Sequence, residues 1–242
     1  MVTRQLPTPV RTRRGPRRVL IGLIVLIALL IGLDFAARAA AETVMASKIQ
    51  QQGLTNKPSV SIGGFPFLTQ VAGKSFQHVS ISDTNQVAGP VTITSFSATA
   101  SQIKLDSYAF SSGTIGSLHG TLLISFGSLG NTLADKIGPL GSLLNGAGLN
   151  LSAAGPDEIK ASFNLLVVSG SATWKVTRPS SNELNIRLVS TSGGLPSDLL
   201  GAMQNVTLQI PKLPLGLTID SFQVTAAGVV GKISGHDVPF GS

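Results

Sequence analysis

Cysteine is absent from the chain. That excludes a disulfide framework, thiol catalysis and cysteine-bound zinc, and it fits an exported domain large enough to rely on its core. Charge is also scarce: Asp, Glu, Lys and Arg make up 12% of the 242 residues, about half the share of an average globular domain. The three histidines, His78, His119 and His236, are far apart and show no HxH or HExxH spacing, so the sequence offers no metal site. It contains no GxSxG elbow, no P-loop and no GxGxxG between a strand and a helix. "SQIK", Ser101 to Lys104, matches SxxK in letters only, because it falls in a strand where the two side chains point to opposite faces. Acids are single apart from Asp157-Glu158, which opens a strand and reads as an exposed turn. These residues give weak support to catalysis, leaving only an unrecognised lipid or glycan hydrolase as an enzymatic alternative, and no cofactor is implied.

What charge there is lies unevenly. Six of the 18 basic residues (Arg4, Arg11, Arg13, Arg14, Arg17 and Arg18) precede residue 19, and no acid precedes Asp34. The remaining 12 basic residues face 11 acids, so the formal charge of +7 describes a basic head and gives no support to a nucleic-acid surface. Behind the head runs "VLIGLIVLIALLIGL", Val19 to Leu33, without a polar side chain. As a helix it rises about 22 Å, short of the ~30 Å hydrocarbon core of a bilayer. A basic head before an apolar run orients the N-terminus inside and sends the remainder across.

Two fates of this segment stay open. "RAAAE", Arg38 to Glu42, offers small residues at Ala39 and Ala41 in the manner of a signal-peptidase site. Against cleavage, "DFAARAAAETVMASKIQQQ" is rich in helix formers and places Ala37, Ala41, Met45 and Ile49 along one stripe to about Gln52. The expected organisation is a basic cytoplasmic head at 1–18, a signal peptide or signal anchor at 19–41, and a single extracytoplasmic domain at 42–242.

Beyond Gly53 the period changes from helical to two. "EIKASFNLLVV", "ATWKVTR" and "ELNIRLV" alternate apolar and polar residues and are separated by hairpin-type connections, which predicts an antiparallel meander. Further strands are expected at 76–82, 91–105, 117–125, 206–210, 217–226 and 229–233. In "VTITSFSATASQIKL" the apolar phase slips twice, between Ile93 and Phe96 and between Ala100 and Ile103, which calls for bulges and a coiling sheet. Two Leu/Gly-rich segments, from Ser128 and from Leu195, read as short apolar helices closing the sheet. The fold class expected is α+β and mostly β.

Lys160, Lys175, Arg178 and Arg187 fall on successive strands of the meander. They read either as a solvated outer face or as a basic strip that meets an acidic head group. A second feature is "SIGGFPFLTQ", where Pro66 ends the pairing of a short strand while Phe65, Phe67 and Leu68 crowd the break. These three side chains are expected to turn inward from a rim, as lipid contacts or as a corner plug of an ordinary core.

With "GGFPFLTQ", Leu213-Pro214-Leu215-Gly216 and Gly235-His236-Asp237-Val238, the chain from about 34 to 240 resembles the actinobacterial LmeA-like phospholipid-binding proteins. The resemblance implies a curved antiparallel sheet wrapped with helices around an apolar cavity, akin to half of a tubular lipid-binding module. It also implies non-enzymatic binding, or shuttling, of phospholipids, phosphatidylinositol types included. It further implies support of lipoglycan mannan elongation in the cell envelope, beside mannosyltransferases and at the membrane. Acyl chains would then be buried by Phe65, Phe67, Leu68, Phe163, Leu165 and Trp174, and phosphate met by Lys160, Lys175, Arg178 and Arg187. The competing expectation is a scaffold for envelope glycosyltransferases whose core is simply full.

Overall fold

A computed structural model describes residues 15–51, 54–88, 91–108, 112–137, 149–165, 168–180, 183–193, 205–209 and 217–241. The helix expected from Leu195 and the Leu213–Gly216 block lie outside the described residues. Among the described residues, three helices and eleven strands come in the order α1 (Gly15–Gln51), β1 (Ser59–Ile62), α2 (Phe67–Ala72), β2 (Ser75–Ala88), β3 (Val91–Leu105), β4 (Gly113–Ser125), α3 (Phe126–Ile137), β5 (Asn150–Gly155), β6 (Glu158–Leu165), β7 (Val168–Ser180), β8 (Glu183–Gly193), β9 (Asn205–Gln209), β10 (Thr218–Thr225) and β11 (Gly228–Phe240). They form two antiparallel sheets. One has the order β1-β2-β3-β4-β11-β10, and the other is the meander β5-β6-β7-β8-β9.

α1 does two jobs with one continuous backbone. From Leu20 to Leu33 its side chains stand exposed, and this is a helix long and apolar enough to cross a membrane. From Asp34 onward it joins the domain. Ala46 is buried in the core of the six-stranded sheet, and Ala37, Ala41, Met45 and Ile49 pack against it, the stripe that the sequence spacing predicts. The helix passes through Ala41 without a break.

Contacts of three polar side chains, Asp34, Arg38 and Glu42, tie this second half down. The Asp34 carboxylate is buried and accepts from the backbone N–H of Phe67 at 2.8 Å and of Leu68 at 2.7 Å, so α1 supplies the cap for α2. The residue before α2 is Pro66, whose side chain can offer no cap of its own. Further along α1, Arg38 pairs with Glu42 at 2.9 Å, and Glu42 accepts from the N–H of Ile62 in β1 at 2.8 Å. Arg38 also reaches the Ser61 hydroxyl at 3.3 Å.

The six-stranded sheet keeps its apolar side chains inward by breaking its own alternation. Asn85 and Gln102, both non-glycine residues, sit in the left-handed region with φ of 55°. The β2–β3 ladder skips them and their neighbours Thr94 and Gln77. Gln102 turns β3 so that Ile103 and Leu105 join Phe96, Ala98 and Ala100 on the core side, and Asn85 of β2 lies across from Thr94, where β3 changes phase after Ile93. The second interruption continues across the sheet. Gly116 lies in register with Gln102 and with Asp237, which has φ of 48°. The two phase slips in the sequence of β3 therefore correspond to two transverse creases.

The second core joins the sheets. Leu151, Ile159, Ala161, Ala172 and Trp174 of the meander are buried against Val224 and Val229 of β10 and β11, with Phe126 and Leu129 of α3 alongside. Phe222 touches both cores. Backbone bonds support the joint: the N–H of Val224 donates to the carbonyl of Pro156 at 2.7 Å. α3 begins where Ser125 accepts from the N–H of Ser128, two residues ahead of the helix start read from the sequence. Neither the strand β5 nor the helix α2 is marked in the sequence pattern.

Replacing Asp34 by Ala strands two amide N–H groups at a buried site. It should cost about 3 kcal/mol, read as a lowered thermal midpoint of the full chain in detergent, with Asp34→Asn intermediate. At Gln102 the backbone favours glycine. Gln102→Gly should be neutral or stabilising by up to about 1 kcal/mol, and Gln102→Val destabilising by about 2 kcal/mol, measured in the same assay.

Candidate functional site

The basic residues of the meander divide between its two faces. Register pairs Glu158 with Lys175, Lys175 with Arg187, and Lys160 with Thr173, so Lys160, Lys175 and Arg187 share one exposed face, opposite Ile159, Ala161 and Trp174. Lys175 and Arg187 line an open depression of about 500 Å3, together with Thr177, Asn185, Leu188 and Val189. Lys175 also pairs with Asp157 at 3.0 Å. The hydrogen bond to that carboxylate, then its charge, raise the lysine above its ordinary pKa; desolvation opposes this and Glu158 adds a little. Lys175 is thus cationic throughout the physiological range. Arg178 departs from the expected strip. It follows Trp174 and Val176 at even spacing, so it takes their side, and its guanidinium donates to the carbonyl of Ile219 in β10. It holds the two sheets together.

The expected apolar set does not converge on one cavity. Phe67 is buried in the first core, tilted against Phe76 at 6.0 Å between ring centres. Trp174 is buried in the second core. Phe65 and Leu68 run against the expectation of inward-turned side chains: they are 60% and 44% exposed. The reason is α2. Once a helix starts at Phe67, successive side chains step about 100° around it, so Leu68 leaves the core face that Phe67 occupies. Phe65, before the helix, stacks on exposed Phe35 of α1 at 6.2 Å. The backbone of Phe163 and Leu165 lies in β6, and their side chains lie outside the described residues.

The glycines before this segment work by close approach. A Cβ on Gly63 would fall 1.8 Å from the imidazole of His78, and Gly64 has φ of 93°. Gln70 fills the space beside Gly64, donating to the carbonyl of Gly63 at 3.2 Å and accepting from the N–H of Gln77 at 3.1 Å.

Large apolar side chains on the inner faces are incompletely covered. Ile93, Phe96, Ile124, Phe126, Leu188 and Phe222 pack against the cores but remain only half-buried. An enclosed apolar cavity is not seen among the described residues; on their inner faces they carry half-buried apolar side chains packed against the two cores. A second open depression, of about 400 Å3, lies on the outer face of the six-stranded sheet between Ser80, Thr99, His119, Thr121, Asp220 and Lys232. His119 and His236 meet edge to face at 6.0 Å beside it. Among the described residues no three His, Asp or Glu side chains cluster as a metal site would require.

Comparison with known proteins gives these surfaces a context. No solved structure matches the chain. Proteins of Mycobacterium tuberculosis and Mycobacterium bovis, each described only as uncharacterised, are 28% identical over 235 residues. That alignment takes in 94% of this chain and spans 66% of the length of those relatives. The family model for LmeA-like phospholipid-binding proteins matches residues 32–234, from the end of the apolar segment to the middle of β11. The chain belongs to the LmeA-like phospholipid-binding family.

Proposed function

We propose that the protein binds phospholipid at the outer face of the cytoplasmic membrane, without catalysing a reaction, and that α1 is retained as its anchor. Family membership across residues 32–234 is the observation that carries this reading. Two features of the fold support it. The half-buried side chains along the inner faces, Phe96 and Phe222 among them, offer apolar surface that an acyl chain could cover. Covering ~300 Å2 of ligand would contribute about 7 kcal/mol before the entropy of ordering the chain is subtracted. The exposed cations Lys175 and Arg187 stand together at a depression wide enough for a phosphate.

What cleavage after Ala41 would remove supports retention of α1. The cap on α2 from Asp34, the Arg38–Glu42 pair and the packing of Ala37 and Ala41 would all go. The finer reading is that the lipid includes phosphatidylinositol types and that the protein supports mannan elongation of envelope lipoglycan beside mannosyltransferases. A second reading, a scaffold for envelope glycosyltransferases, draws on the packing of α1 and α2 over β1 and β2 and on the lack of an enclosed void among the described residues.

Uptake separates the two. Delipidated full-length protein in detergent, mixed with phospholipid vesicles and re-isolated, should carry lipid detectable by native mass spectrometry; a scaffold would return bare, and that result would sink the lipid reading. The contribution of the cations can be read in the same assay. Lys175→Ala with Arg187→Ala should lower capture of anionic phospholipid about tenfold, as loss of two charge-assisted contacts implies, while leaving the thermal midpoint within about 2 °C because both residues are exposed.

A further inference from the structure

The apolar run of α1 is too short for the bilayer it would cross, and the domain carries what is missing. A hydrocarbon core of ~30 Å takes about 20 residues of helix. Counted from Val19, directly after Arg17 and Arg18, that length ends near Arg38, one turn beyond Asp34. Asp34 and Phe35 therefore fall inside the apolar layer or at its boundary. A carboxylate there is expensive unless it is paired and shielded. Asp34 is both: it is 4% exposed, with its two oxygens on the N–H groups of Phe67 and Leu68. The segment that shields it cannot then be far from the lipid.

The surface around Asp34 fits that depth. Phe35, Phe65 and Leu68 are 55%, 60% and 44% exposed, and Phe35 and Phe65 stack, so the lipid-facing surface of α1 continues onto the loop and the start of α2. At the far end of α2 the hydroxyl of exposed Tyr108 donates to the carbonyl of Ala72 at 3.3 Å. The ammonium of Lys74 lies 4.9 Å over its ring. An amphipathic aromatic with a long cationic side chain is the pairing that populates the boundary between acyl chains and head groups.

We infer that Phe35, Phe65 and Leu68 form a collar seated in the outer leaflet, with Tyr108 and Lys74 at its head-group level. The occupant of this exposed patch is the same membrane that α1 crosses. The collar makes up the missing thickness of the span and fixes the tilt of the sheets above it. The inference rests on α1 spanning the membrane and is independent of whether the domain carries a lipid.

The absence of native cysteine makes the test clean. Full-length Phe65→Cys, Leu68→Cys, Leu26→Cys and Val87→Cys variants, each labelled with an environment-sensitive fluorophore, are placed in nanodiscs with and without doxyl-lipid quenchers. All four side chains are exposed, and Val87 lies at the end of β2 away from α2, so labelling should leave the fold intact, and an unchanged thermal midpoint checks this. Blue-shifted emission and quenching at 65 and 68, as at 26 and unlike at 87, is the expected result. Quenching at 26 with 65 and 68 behaving like 87 would overturn the collar, and an unquenched label at 26 would overturn the span as well.

Discussion

A carboxylate at the end of a greasy helix has few ways to exist. Asp34 could point into water or find donors, and here it finds two amides at the start of a helix only six residues long. Neither element is self-sufficient. α2 is too short to hold together unaided and is preceded by a proline, and α1 beyond Leu33 is stabilised by what it packs on. The two hydrogen bonds join a segment built for lipid to a domain built from strands, and they set where Phe67 enters the core and where Phe65 and Leu68 are turned out. Glu42 repeats the device about two turns further on, with the amide of Ile62. Anchor and sheet are therefore one body, which makes α1 part of the fold.

The same economy explains a protein with so little charge. Outward-facing positions of the strands are filled by hydroxyls more than by ions, and these bond to one another across strands: Ser97 with Thr121 at 2.9 Å, Ser80 with Thr99 at 3.2 Å, Ser171 with Ser192 at 2.9 Å. Hydroxyl pairs suit β-strands and keep water at the outer face without long flexible side chains. With the outside so uniform, the few cations that gather, Lys175 and Arg187 above all, become the local electrostatic features of the meander. Creases at Asn85 and at the row Gln102, Gly116 and Asp237 then let long strands coil while keeping apolar residues inward.

How far the sequence discloses this depends on whether the cause is local. The alternation of β6, β7 and β8, the helical stripe from Ala37 to Ile49 and the phase slips of β3 are written in neighbouring residues, and each has its counterpart in the structure. The fate of Phe65 and Leu68 is not written locally. A stretch of Gly, Phe and Pro has no capping residue of its own, so α2 cannot be inferred without knowing that Asp34, 33 residues earlier, arrives beside it. Arg178 misleads for a related reason. It stands among cations that face outward, yet the strand period puts it on the other side, where the carbonyl of Ile219 awaits it. β5 is short and edge-placed, with Asn150, Ser152, Ala153 and Ala154 all exposed, and carries little pattern to find. The apolar cavity is implied by resemblance alone, and the described residues answer it with a margin of half-buried side chains.

On the proposed reading, that margin of half-buried side chains and the anchoring role of α1 constrain one another. A carrier that shuttles lipid through water must close around its cargo, since exposed acyl chain forfeits about 25 cal/mol for every Å2 left in contact with solvent. A domain held to the bilayer by a continuous helix has no need to close completely. Its cargo can remain partly in the leaflet while the inner faces of the sheets cover the rest, and the hydrophobic term then favours neither full extraction nor full release. On this reading an acyl chain that reaches Phe96 must run along the sheet from the α2 end, because Phe96 pairs with Asp83, about 23 Å of strand beyond Phe76, and distance from the bilayer is set by Asp34 and its two amides. Movement of lipid would then be confined to the adjoining leaflet, within reach of whatever else is anchored there.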